Sequence, residues 1–205
     1  MATTKDRKSN AIKLIEIINN IIFMLEKLVA IKSKSKEEVD GYYNEFLKDM
    51  GAIESISKFY FSEKVNVFTK SFISNCDSVY LIIEIKLNMQ EIERVNELIE
   101  EEAREIARLE SKEEELGEES ITIEKVKLLI AEKSEISNRK LSLEMLKKQT
   151  EKLHTKIIEN KYRIRKVYSV DSEEGILDEA KSVKNTLINS IESDYKLNNR
   201  ILKVF

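Results

Sequence analysis

The feature that most constrains this chain is what it lacks. Its 205 residues include no proline and only four glycines. Average usage would give about ten prolines and about fourteen glycines. These two residues carry most tight-turn chemistry. Their scarcity argues against a sheet-rich fold with many reversals and against a glycine loop that cradles phosphate. The inventory fits an all-α chain: an elongated helical bundle of about five helices joined by short connections.

The length suits one or two domains, with one as the default. No stretch reads as a flexible linker, and no internal repeat is evident. The formal net charge is −3, so nucleic acid is not an expected partner. The single cysteine, Cys76, cannot form an intramolecular disulfide, which leaves a reducing or a secreted setting equally open. A cytoplasmic location is the expectation, with a secreted or surface one as the alternative. A basic start precedes the apolar stretch from Ile12 to Ile31. Lys13, Glu16, Asn19, Asn20, Glu26 and Lys27 interrupt that stretch, so it reads neither as a signal peptide nor as a membrane span.

Five helical segments follow from periodicity and capping signals. The first runs from about Asn10 to Ile31, capped by Ser9 or Asn10. Its apolar residues cover more than one stripe, which predicts a central core helix. The second starts at Ser35, with Glu37 and Glu38 suited to a helix N-terminus. Gly51 is expected to kink or end it, and Ser62 to open the next helix. Phe59, Tyr60, Phe61, Phe68 and Phe72 are expected to form an aromatic core layer.

The third segment runs from Ser62 or Asp77 to Leu116. Ile85, Ile92, Ile99 and Ile106 lie seven residues apart. Val95, Leu109 and Leu116 take the d offset, with Met89 and Ala103 beside the seam. The fourth runs from Ile121 to about Tyr168 with a matching series, Leu129, Ile136, Leu143, Thr150, Ile157 and Ile164, and with Leu146, Leu153 and Val167 at d. Such heptads predict a coiled coil. Between them Gly117 can take a left-handed C-cap and Ser120 can cap the next helix. A connection this short implies antiparallel neighbours, so a long coiled-coil hairpin turns near Gly117. Partner numbers should sum to about 237, placing Leu109 opposite Leu128 or Leu129 and Ile99 opposite Ile136. An arm of some forty residues would reach about 60 Å. Asp171 and Ser172 cap a fifth segment that continues almost to Phe205. The expected division is a base of residues 1–75 and 170–205 around the root of a 76–169 arm, in a single structural unit.

Charge is polarised along the hairpin. Residues 97–119 carry a net −8 and residues 139–168 a net +7. Glu110, Glu113, Glu114, Glu115, Glu118 and Glu119 at the tip are therefore a candidate partner surface. Lys161, Arg163, Arg165 and Lys166 on the basic flank are a second, since complementary patches steer association. Tyr162 to Tyr168 mixes basic and aromatic residues, a weak nucleic-acid signal that is more simply the flank of the seam. Glu151 and His154 match the Glu-x-x-His spacing of di-iron bundles, but this is the chain's one histidine. No metal or other cofactor is expected. Cys76 sits in the polar stretch from Ser74 to Ser78, read as a break between apolar runs. A cysteine or serine nucleophile would have to use His154.

Catalytic residue types are thus nearly missing, and no catalytic residue is assigned. The leading expectation is a non-enzymatic protein acting through protein contacts, as an adaptor, spacer or assembly component, with a protein partner or a second copy of itself. One alternative is a membrane-active or pore-forming bundle that inserts Asn10 to Ile31, and a membrane surface ranks below a protein partner. Another is a bacterial surface or secreted helical protein binding a host ligand.

Overall fold

A computed structural model of the chain describes residues 4–31, 34–117, 122–165 and 173–201. The fold is all-α, and the described residues form five helices: α1 (Thr4–Ala30), α2 (Lys36–Tyr60), α3 (Glu63–Gly117), α4 (Ile123–Arg165) and α5 (Glu173–Ile201). The described residues contain no strand. Two compact units result. One joins Met1–Leu87 with Asn160–Phe205, and the other is Asn88–Glu159.

In the first unit, α1 packs against α2 and α5. It starts earlier than Ser9 or Asn10, and Asn10 lies inside it, its side-chain amide donating to the Asp6 carbonyl at 2.8 Å. Nor is α1 wrapped on all sides. Ala11, Leu14, Ile18, Ile21, Leu25 and Leu28 are buried at alternating steps of three and four, whereas Ile12 and Phe23 are exposed. That is one stripe, and burying each of its large side chains contributes about 1.5–3 kcal/mol. The central helix is instead the first part of α3. Between Phe72 and Ile85 burial runs almost without interruption and takes in Asn75, Cys76 and Ser78. The polar stretch around Cys76 is therefore no break. Ser78 stays in the helix by donating its hydroxyl to the Ser74 carbonyl at 2.9 Å.

The α2 capping signal behaves as its sequence says. Ser35 Oγ accepts from the Glu38 amide, and the Glu38 carboxylate accepts from the Ser35 amide, each at 3.1 Å. Gly51 does not end α2, which runs through to Tyr60. A Cβ there would meet nothing within 4 Å. The start at Ser62 holds, its carbonyl accepting from Asn66 N at 3.1 Å while its own amide donates to Asp194 at 2.7 Å. The aromatic layer lies elsewhere than expected. Phe72 is fully buried, but Phe59 is 75% exposed. The rings that meet are Tyr43, Phe46 and Tyr80, with Tyr80 centred 5.2 Å from each of the others.

The second unit is an antiparallel helical hairpin formed by the end of α3 and most of α4. Ile106, Leu109 and Ile136 make a buried cluster with Leu143 against it. The expected α4 series recurs as the inward face, with Ile136 and Ile157 buried. Several d positions are polar: Asn88 and Glu132 are buried there and Glu102 and Arg139 are half-buried, alongside the buried Val95 and Leu109. Met89 and Ala103, beside the seam, are exposed. The register also differs. Ile136 packs with Ile106 and Leu109 rather than opposite Ile99. Glu102 meets Arg139, about one turn beyond the expected partner. The α4 helix starts at Ile123, with the Thr122 hydroxyl oxygen accepting from the Lys125 amide at 3.4 Å. The turn itself, Ser120 included, lies outside the described residues, as do Asp171, Ser172 and the C-terminal residues after Ile201.

Candidate interaction surface

The hairpin surface is built by side chains that α3 and α4 project beside their shared seam. Of the acidic tip residues, Glu110 pairs with Lys140 at 2.6 Å and Glu113 with Lys133 at 3.2 Å. Glu102 pairs with Arg139 at 3.0 Å and Lys112 with Glu132 at 2.5 Å. Glu114 is exposed. The Glu115 side chain, Glu118 and Glu119 lie outside what is described. Two of the six tip glutamates are thus paired with α4 lysines across the hairpin. Exposed pairs of this type contribute up to about 1 kcal/mol each, so they help set register more than stability. Glu105 and Arg108 pair within α3 at 2.6 Å, and this hydrogen bond holds the Glu105 carboxyl below its ordinary range.

The basic candidates fall in the first unit. Lys161 is exposed, while the Arg165 side chain and Lys166 lie outside what is described. Arg163 donates to Asp77 at 2.9 Å, and Asp77 also accepts from the Tyr43 hydroxyl at 2.9 Å. Burial, reinforced by Asp77, pushes the Tyr43 phenol up. Asn160 donates to Glu84 at 2.9 Å. These bonds tie α4 to α3, and α3 to α2. They leave a recess of about 200 Å³ lined by Tyr43, Tyr80, Glu84 and Arg163 among others, smaller than the usual ligand pocket of about 300–1,000 Å³.

The remaining chemical candidates resolve as follows. Glu151 and His154 are both exposed. Among the described residues no group of three or more His, Cys, Asp or Glu side chains could hold a metal ion. Cys76 is fully buried, and burial together with Asp77 pushes its thiol well up. That disfavours the thiolate a nucleophile needs. No helix of the described residues is long and apolar enough to cross a membrane.

What sequence reasoning missed is the other side of α4. Ile123, Val126, Ile130, Leu141, Met145 and Ile158 are between 41% and 79% exposed. At 100° per residue the first five fall within about 100° of arc, on the side opposite Glu132 and Ile136. Scattered exposed apolar residues are ordinary, but an aligned strip marks an interaction surface. The signal was present as a second apolar periodicity outside the a and d positions. Comparison with protein families, curated proteins and solved structures finds no match for this chain.

Proposed function

We propose that this chain is a non-enzymatic coiled-coil protein that works through protein–protein contacts, as an adaptor, spacer or assembly component. The observation that carries the reading is the exposed apolar strip on α4. One face of α4 is already used by the seam with α3. A second apolar face on the same helix has no role within the described chain, and such a face is stabilised by contact with another helix. The ion pairs of Glu110 and Glu113 favour the outer face of α4 over the acidic tip as the contact surface.

A photoreactive amino acid placed at Met145 in the full chain, and illuminated in cells that make the protein, tests this. Defined adducts of the chain with one or a few polypeptides are expected. The same residue placed at Asn44, an exposed position of α2, is the control. Adducts no more abundant at Met145 than at Asn44 would overturn the reading.

A further inference from the structure

We propose that the partner of the α4 outer face is a second copy of this chain, lying antiparallel along α4 with its two-fold axis near residue 142. The proposal rests on the protein-contact reading above and names the occupant of that surface.

Three features of the second unit point to it. First, four of the six exposed apolar residues form mirror-related pairs, while Ile123 and Ile130 fall opposite Lys161 and His154. Reversing α4 about a point near residue 142 sets Val126 against Ile158 and Leu141 against Met145. Each apolar contact then occurs twice, as an isologous interface requires. Second, the polar interruptions of the strip are also mirrored. Ser134 and Ser137 fall opposite Lys152 and Lys148, and all four are exposed. A serine leaves room for a lysine stem to lie across the interface with its ammonium in water.

Third, charge selects the direction. Lys133, Lys140, Glu144 and Glu151 are exposed and share one flank of the strip. The same reversal sets Lys140 against Glu144 and Lys133 against Glu151. A parallel pairing would set each residue against its own copy, lysine on lysine and glutamate on glutamate. Flanking charges choose partner and orientation in helical pairings, so they favour the antiparallel one. Lys133 and Lys140 also bind Glu113 and Glu110 of their own hairpin. In the dimer each would bridge two carboxylates.

Sedimentation equilibrium of the full chain at micromolar concentration tests association. A mass of twice 23.9 kDa is expected. It should fall to the monomer value in Leu141→Lys/Met145→Lys with unchanged far-UV circular dichroism; both positions are exposed in the single chain. Cysteine cross-linking tests direction, with the buried Cys76 left in place. Leu141→Cys should cross-link to its own copy. Val126→Cys should not, yet should cross-link to Ile158→Cys when the two variants are mixed. Self-linking at Val126→Cys would overturn the antiparallel arrangement. A wild-type monomer would overturn the dimer while leaving the protein-contact reading intact, provided photo-adducts to other polypeptides still form at Met145.

Discussion

Replacing Gly41 and Gly51 by alanine should stabilise the protein. Both glycines lie inside α2, well away from its ends. A glycine in a helix interior costs about 0.5–1 kcal/mol relative to alanine, because its backbone loses more freedom on folding. A Cβ at either position meets nothing within 4 Å, so the substitution brings neither a clash nor a burial gain. The backbone term is therefore the whole effect. The two sites are about 15 Å apart along the helix, beyond the range at which substitutions usually couple. The double variant should gain about 1–2 kcal/mol, which for a chain of this size raises Tm by roughly 2–8 °C. Thermal melting followed by far-UV circular dichroism reads the shift, and urea titration should show a higher midpoint with an unchanged slope. The refuting result is a split. If Gly41→Ala stabilises while Gly51→Ala is neutral or destabilising, the chain bends or stops at Gly51, and the reasoning from an unbroken α2 is wrong.

Ser35→Ala removes the capping box that opens α2. It should lower stability by about 1 kcal/mol, with Ser35→Asp recovering most of the loss; equal melting of Ser35→Ala and wild type would contradict the cap. High pH should also destabilise the first unit. Burial raises the Tyr80 phenol above its ordinary value of 10.0 and the Cys76 thiol above 9.0. Groups whose folded value is raised contribute stability that is fully present below the unfolded value and is lost as the pH rises toward the folded one. The urea midpoint should therefore begin to fall above pH 9.0 and more steeply above pH 10.0, and Tyr80→Phe should flatten the second phase. A Tyr80→Phe profile superimposable on wild type would refute the assignment.

The parts of the fold that were legible in the sequence are those fixed by local rules. The Ser35 cap, the start at Ser62 and the seven-residue series of α3 and α4 depend on residues within a turn or two of one another. Which helix sits at the centre depends on what surrounds it. The apolar abundance of α1 suggested that role, but α1 has partners along one stripe, while α3 is buried through Asn75, Cys76 and Ser78. Short polar side chains hide inside helices by bonding to their own carbonyls, as Ser78 does, so a polar stretch is an unreliable break. The seam was read from apolar residues alone. Its polar d positions, Asn88, Glu102, Glu132 and Arg139, were invisible to that pattern. Buried side-chain atoms of Asn88 and Glu132 lack a hydrogen-bond partner, a cost that a seam tolerates where a polar residue fixes register. The α4 strip is obscured in the sequence because Ser134, Ser137, Lys148 and Lys152 interrupt its apolar pattern.

The central claim is that α3 and α4 fold back on each other in one register, so that one face of α4 is used and the opposite face is left free. The most direct test is a short thiol-to-thiol cross-linker applied to dilute full-length protein carrying Glu102→Cys and Arg139→Cys, two positions whose native side chains meet at 3.0 Å. An intrachain bridge should form rapidly in this pair and slowly in Glu102→Cys/Glu135→Cys, which corresponds to the register one turn away. Faster bridging of the second pair, or no intrachain bridge in either, would contradict the hairpin as described.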